Sequence, residues 1–213
     1  MSILNIKTVP TRSLVYTILL TFAISLGGTS ALSAGEQAIS ASTASRIDDN
    51  SGDGKGGKGD AKNATVLRVG DNRKNVEMRI LVQLPIARLA NMIHTSDAVH
   101  LRFTVKDTYG AAEAIQLHNL VNETGLGIEF SNYHEESPVP MQIIEVDRQK
   151  GSFDADITSW AKAAVLNAQS MLTLRFQVDL DEADLRDNGS SDHFWIEAEG
   201  EKAIRMVIAS TGD

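Results

Sequence analysis

The strongest constraint on the fold of this chain is a period of two in its apolar residues. In MLTLRFQVDL, residues 171–180, leucine, phenylalanine and valine alternate with Thr173, Arg175, Gln177 and Asp179. Because successive side chains of a β-strand point to opposite faces, this run predicts a strand with one buried face. Eight further segments read as strands: 64–70, 75–84, 98–106, 113–121, 141–146, 151–157, 193–199 and 203–209. Such strands, separated by turn residues, predict an all-β antiparallel β-sandwich.

One segment changes to a helical period. In ITSWAKAAVLNAQ, residues 157–169, the apolar side chains recur at intervals of three and four, with Trp160 among them. This spacing predicts a short amphipathic helix with Trp160 packed in the core. A second helical turn is predicted after Pro85, over residues 86–93. We expect these one or two short helices to cover an open end or edge of the sandwich.

The first 34 residues resemble a secretory signal. Lys7 and Arg12 form a basic start, residues 14–26 are uncharged and mostly apolar, and small residues follow up to Ala34. The apolar run of about 13 residues is shorter than the roughly 20 that span a membrane. We therefore expect a cleaved signal peptide and an exported protein that is secreted, held at the cell surface or periplasmic. An uncleaved membrane anchor is the alternative.

Charge and cysteine content exclude several classes of function. The full chain has 20 basic and 28 acidic residues; without the predicted signal 18 basic residues remain, so the net charge is −10. An acidic chain is poorly suited to nucleic acids or anionic membranes, because both carry dense negative charge. The chain has no cysteine, which excludes disulfides, thiolate metal sites and a cysteine nucleophile.

Residues 35–63 predict a flexible linker. The segment is rich in Ser, Ala and Thr and then in Gly, Asp and Lys, with only Ile39 and Ile47 as large apolar residues. Such a composition buries too little surface to offset the entropy of ordering. Within it, DNSGDGKGGKGD (49–60) has the oxygen spacing of a helix–loop–helix calcium site. The glycine at its eighth position, the lysines and the lack of flanking helices favour a linker, so the predicted domain covers residues 64–213.

Several strands, in this order, resemble a known family of exported domains. TVLRVGDNRKNVEMRILVQLP (65–85), TSDAVHLRFTV (95–105) and LTLRFQVDLDEADLRDNGSSDHFWIEA (172–198) are similar to phrases of DNRLRE-type bacterial domains, which are related to carbohydrate-binding module family 96. IRMVIA takes the place of the last strand, so the resemblance spans about residues 64–209. It departs from the family at Leu81 and Gln83 and lacks a Trp-Thr-Glu phrase. The resemblance implies a jelly-roll β-sandwich that is exported and non-catalytic.

The acidic segment between two predicted strands is a candidate calcium site. Hard oxygen ligands of the kind that calcium prefers occur throughout residues 179–192. The candidate ligands are Asp179, Asp181, Asp187, Asn188 and Asp192. We expect a structural calcium ion to stiffen this loop; a solvated acidic turn is the alternative interpretation.

Trp195 is the main candidate for ligand contact. It falls on the polar face of its predicted strand between His193 and Glu197, and an outward tryptophan of this kind can stack on a sugar ring. Tyr109, in a predicted loop, is expected to lie at the rim of the same surface. The alternative interpretation is that Trp195 packs under a loop or a helix.

Four arginines occupy polar mid-strand positions: Arg79, Arg102, Arg175 and Arg205. If they share a sheet, they form a basic stripe that binds the carboxylates of an acidic polysaccharide. We therefore include Arg102 and Arg175 among the expected ligand contacts. The alternative is cross-strand pairing with Glu77, Asp179 or Glu197.

No catalytic signature stands out. The chain has no Gly-x-Ser-x-Gly motif and no phosphate-binding glycine loop, and the sequence His134-Glu135-Glu136 lacks the second histidine of a zinc protease. We therefore expect a non-catalytic, carbohydrate-binding-like module that acts at the cell surface or in the matrix. The alternative is a structural or adhesion subunit that binds another protein, and a polysaccharide lyase or hydrolase comes third.

Overall fold

The computed structural model describes residues 36–48, 65–72, 76–120, 141–178 and 191–210. In these ranges lie eleven strands: β1 (Glu36–Ser40), β2 (Thr43–Asp48), β3 (Val66–Asp71), β4 (Glu77–Pro85), β5 (Ala98–Tyr109), β6 (Ala114–Leu120), β7 (Gln142–Glu145), β8 (Gly151–Asp156), β9 (Met171–Gln177), β10 (His193–Glu197) and β11 (Arg205–Ala209). Two short helices, α1 (Ala90–Thr95) and α2 (Thr158–Leu166), complete the fold. The prediction of an all-β, antiparallel sandwich-type fold with short helices is confirmed. None of the helices in the described ranges is long and apolar enough to cross a membrane.

Two long strands, β4 and β5, each pair with two neighbours along one edge. Arg102 of β5 pairs with β11 on one edge and with β8 on the other, whereas Val105 pairs with β10 and β8. Since β8 occupies one edge in both cases, β10 and β11 follow each other along the opposite edge. In β4, Met78 pairs with β2 and β3, and Ile80 pairs with β2 and β9. The sheet therefore branches at both strands and folds over a single core.

The core is built from the inward positions of the predicted alternation. Three fully buried phenylalanines, Phe103, Phe176 and Phe194, come from different strands. Phe176 meets Phe103 edge to face, with ring centroids 5.1 Å apart. Phe153 of β8 stacks on Phe103, with ring centroids 5.8 Å apart. Contacts between rings add to the free energy gained from burying their apolar surface.

The two helices lie at the end of the sandwich where β5 begins. In α2, Trp160, Ala161 and Ala164 are buried, as the helical spacing predicted. The Thr158 hydroxyl accepts a hydrogen bond of 2.8 Å from the backbone N–H of Val99, the second residue of β5. Helix α2 therefore closes this end of the core.

The predicted linker is wrong for residues 36–48, which form β1 and β2. Strand β1 pairs with β11, the last strand of the chain, and β2 pairs with β4. Ile39 and Ala44 pack partly buried against the core. The amino-acid composition did not indicate these two strands, because an edge strand is held by backbone hydrogen bonds and needs few large side chains. Residue 35 and residues 49–63, the rest of the predicted linker, and the predicted signal peptide lie outside the described residues.

We expect Phe176→Ala to lower the free energy of unfolding by about 3–5 kcal/mol, because it leaves a cavity beside Phe103. Urea denaturation followed by circular dichroism measures this change. Ile143→Ala, at an exposed position of β7, is the matched control and should change stability by less than about 0.5 kcal/mol. Equal losses in the two variants would contradict the assignment of the core.

Candidate functional site

A β-bulge in β5 reverses which side chains of this strand face the core in its last residues. Trp195 of β10 pairs with Asp107, but the next residue, Ile196, pairs with Val105, so Lys106 is the extra residue. An extra residue on one strand reverses which side chains face the core. Before the bulge the odd-numbered residues of β5 point inwards; after it they lie on the outer face of the sheet.

The bulge places three rings side by side on the outer face of β5, β10 and β3. The ring of Tyr109 stacks on that of His193, with centroids 4.8 Å apart and planes at 15°, and lies 5.5 Å from that of Trp195. The rings of His193 and Trp195 are 6.4 Å apart. From β3, Arg68 places its guanidinium carbon 4.6 Å from the centre of a Trp195 ring. We call Arg68, Tyr109, His193 and Trp195 the aromatic platform.

The members of the platform differ in their access to solvent. Tyr109 is 42% exposed, Trp195 is half-buried and His193 is only 6% exposed. Nδ1 of His193 lies 2.9 Å from the hydroxyl of Ser191. Within the described chain, Nε2 of His193 and the indole N–H of Trp195 have no hydrogen-bond partner. Tyr109 is therefore the ring that a ligand meets first, whereas Nε2 of His193 and the indole N–H of Trp195 lie below the surface.

A charged pair borders the platform. Asp107, which pairs with Trp195 across the strands, lies 2.6 Å from Nζ of Lys150. The hydroxyl of Tyr109 donates to the other oxygen of the same carboxylate at 3.3 Å. The hydrogen bond from Lys150 is the main cause that lowers the pKa of Asp107. At neutral pH this border therefore presents a carboxylate and an ammonium group beside an exposed aromatic ring.

Asp192 fixes the strand ends beneath the platform. Its fully buried carboxylate accepts a hydrogen bond of 2.6 Å from the backbone N–H of Ala111, just after β5. Its own N–H donates to the carboxylate of Asp71 at 2.8 Å, and its carbonyl accepts from the N–H of Asp71 at 2.9 Å. Gly110 has φ of +74°, and a Cβ there would overlap the Asp192 carboxylate. The ends of β3, β5 and β10 are thus held together at one point.

The predicted calcium site is only partly covered by the structure. Asp179, Asp181, Asp187 and Asn188 lie outside the described residues. Asp192 is described, and one of its carboxylate oxygens accepts the N–H of Ala111. In the ranges that the structure describes, no group of three or more His, Cys, Asp or Glu side chains is placed to hold a metal ion. Calcium binding therefore stays a prediction.

The structure separates the predicted ligand residues into three places. Trp195, His193 and Tyr109 meet in the platform, and Glu197 lies on the same face of β10 two residues beyond Trp195. Arg102 lies seven residues before Tyr109, where β5 pairs with β8 and β11.

Arg175 is 5% exposed on β9, between β4 and β6. Neither Arg102 nor Arg175 is part of the platform.

The four arginines do not form one stripe. Arg102 and Arg205 are directly opposite each other on β5 and β11, whereas Arg79 and Arg175 lie on β4 and β9. Arg102 makes a two-pronged ion pair with Asp154, at 2.7 and 3.0 Å. Arg79 pairs with Glu77 of its own strand at 2.7 Å. Arg102 therefore makes a cross-strand pair of the kind that the alternative interpretation expected, although its partner is Asp154, whereas the pair of Arg79 lies within one strand.

Sequence reasoning missed Arg68, the arginine that does join the platform. Arg68 lies between the buried residues Leu67 and Val69 of β3, so its outward direction follows from the alternation. Its position beside Trp195 depends on the pairing of β3 with β10, where the two residues are directly opposite. These strands are more than a hundred residues apart in the chain, and nothing in either one specifies the register.

Two histidines have lowered pKa values. Burial is the main cause for His193, and the charge of Arg68 acts in the same direction. Burial lowers the pKa of His118, on β6, to about 4, and the charges of Arg175 and Arg79 contribute. Both imidazoles are therefore neutral at physiological pH.

No protein-family model matches the chain, and no curated protein matches it. The resemblance to DNRLRE-type domains therefore stays a prediction, and the function has to be argued from the geometry of the platform.

We expect Asp192→Ala to lower the free energy of unfolding by about 1–3 kcal/mol, because it removes the buried carboxylate that accepts the N–H of Ala111. Asp192→Asn keeps an acceptor oxygen and should cost less. Asp154→Ala removes a surface ion pair and should cost about 0–1 kcal/mol. Chemical denaturation of the three variants measures the order, and a loss in Asp192→Ala no larger than in Asp154→Ala would contradict the role of Asp192.

A second prediction concerns pH. The pKa of His118 is about 4 in the folded chain against 6.5 for an ordinary histidine, so the unfolded chain binds more protons between these values. The free energy of unfolding should therefore fall as the pH drops from 6.5 towards 4. His118→Gln should flatten this slope, and the exposed control His94→Gln should retain it. The same slope in His118→Gln and the wild type would show that His118 does not contribute.

Proposed function

We propose that the protein is an exported, non-catalytic module that binds polysaccharide through the aromatic platform. The observation that carries the proposal is the contiguous surface of Tyr109, His193 and Trp195, with Tyr109 exposed. Sugar rings present apolar C–H faces that pack on aromatic side chains, while their hydroxyls need polar partners. The platform offers both, since Asp107 and Lys150 lie at its border.

Arg68 is the member of the platform that favours a ligand rich in acceptor oxygens. The guanidinium of Arg68 lies over a ring of Trp195. Its N–H groups lie around the edge of the guanidinium plane, so they are not used by the contact with the ring. A carboxylate accepts from such a planar group with two oxygens. We therefore infer that acidic polysaccharides bind more tightly than neutral ones.

Binding of residues 35–213 to an array of neutral and uronic-acid polysaccharides tests the proposal. Tyr109→Ala should weaken binding to all bound glycans at least about tenfold, the loss of roughly one stacking contact. Arg68→Ala should weaken binding to uronic-acid polysaccharides more than to neutral ones. Repeating the array with a chelator tests the predicted role of calcium.

Leu166→Ala is the matched control, because Leu166 is a 75% exposed apolar residue of α2. Helix α2 contacts the start of β5, about 30 Å along that strand from Tyr109. This variant should bind like the wild type. If the folded wild-type protein binds none of the polysaccharides, the proposal is wrong.

A second candidate function is that of a structural subunit that binds another protein. The observation in its favour is the short strand β7, where Ile143 is 58% exposed, together with Met141, which faces solvent just before this strand. Among the described strands β7 pairs only with β6, and an apolar edge strand is a site where another chain can add. Ile143→Lys should abolish such an association without affecting glycan binding, which distinguishes the two functions.

A further inference from the structure

The first two strands join parts of the sheet that are far apart in the strand order. Residues 36–48, which we call the N-terminal segment, consist of β1, the two residues Ala41 and Ser42, and β2. Strand β1 makes five residue pairs with β11, and β2 makes six with β4. The N–H of Ala41 donates to the carbonyl of Ile204, and that of Ser42 donates to the carbonyl of Gln83. The segment therefore covers one edge of β11 and one edge of β4 at once.

Both of these edges would be unpaired without the N-terminal segment. The other edge of β11 is paired with β5, and the other edge of β4 is paired with β3 and β9. Without the N-terminal segment, β11 and β4 would each present a row of unpaired N–H and C=O groups. Such an edge is a template for a strand from another chain. The fold thus contains two acceptor edges and, in the same chain, the segment that fits them.

The segment is held mainly by its backbone. None of its described apolar side chains is fully buried; Ile39, Ala41 and Ala44 are partly buried against the core. Elements with few buried apolar contacts open at a lower free energy than the core does. The pairs with β11 and β4 can therefore break while the core of the sandwich stays folded.

The chain length allows the segment to reach a second molecule. Sixteen residues, 49–64, lie between β2 and Thr65, and their contour can extend to about 55 Å. A domain of this size has a radius of gyration of about 15 Å. Closure onto the same copy or onto a neighbouring copy is compatible with this length.

We propose that the N-terminal segment exchanges between two copies of this chain, so that β1 and β2 of one copy pair with β11 and β4 of the other. The pairs are those of the single chain, and only the connection differs, which makes such exchange a low-cost route to a dimer. An exchanged dimer carries two aromatic platforms. On a repeating polymer the second platform would bind at a high effective concentration.

Cysteine trapping tests the exchange, because the chain has no cysteine of its own. Val207 of β11 is directly opposite Ala38 of β1 on one side and His100 of β5 on the other. Such partners lie about 4.5–5.5 Å apart at Cα, within the span of a disulfide. A tagged Ala38→Cys chain is mixed with an untagged Val207→Cys chain over a range of concentrations and then oxidised. The control mixture pairs a tagged His100→Cys chain with Val207→Cys.

Exchange predicts a disulfide between the two chains of the Ala38→Cys mixture, with a yield that rises with concentration and exceeds the control several-fold. A second pair repeats the test at β4, with Thr43→Cys and Gln83→Cys mixed, and Thr173→Cys as the control donor opposite Gln83. This pair decides the result if Val207→Cys does not fold. Yields that equal the controls in both tests, at every concentration, would overturn the proposal and leave the segment bound within its own chain.

Discussion

The surface proposed to bind ligand depends on one irregularity, the extra residue Lys106 in β5. Up to Val105 the odd-numbered side chains of this strand enter the core. A regular continuation would send Asp107 and Tyr109 inwards as well. The bulge turns both onto the outer face, opposite Trp195 and His193 of β10. Stacking of the three rings, the cation over Trp195 and the bordering ion pair all follow from this change of side.

The bulge produces an ordered surface because hydrogen bonds hold the strand ends beyond it in place. Asp192 bonds to the backbone at Ala111 and to Asp71, which joins the ends of β5, β10 and β3. The left-handed Gly110 lets the chain leave β5 against the Asp192 carboxylate, where a side chain would not fit. A platform whose backbone is already ordered loses less conformational entropy when a ligand binds. The backbone of the aromatic platform is therefore preorganised for ligand binding.

Most of the secondary structure could be predicted from the sequence, because strands with one buried face carry a period of two. The helical spacing around Trp160 and the outward direction of Trp195 agree with the structure. The alternation around Phe176 predicted a strand correctly, but both faces of β9 are buried, since Thr173 and Arg175 are covered as well. Residues 36–48 were mispredicted for a physical reason. Their strands complete the edges of β11 and β4 through backbone hydrogen bonds, and side-chain composition does not report those.

The candidate site could be predicted only in part, because it depends on register. Trp195 and His193 were found from their positions on one strand, and Tyr109 was expected at the rim but in a loop. The sequence does not indicate the bulge that places Tyr109, because the alternation of β5 is regular up to Val105. Arg68 becomes part of the platform through the pairing of β3 with β10. Arg102 and Arg175 have the same outward pattern as Arg68, yet they lie in other parts of the sheet.

The most direct test of the platform is the fluorescence of Trp195 in a Trp160→Phe chain, which leaves Trp195 as the single tryptophan. Titration with a uronic-acid polysaccharide should change the emission of Trp195 in a saturable way, and Tyr109→Ala in the same background should shift the midpoint to an at least about tenfold higher polysaccharide concentration. Binding detected by calorimetry with no change in Trp195 emission would contradict the account, because the ligand would then bind elsewhere on the protein.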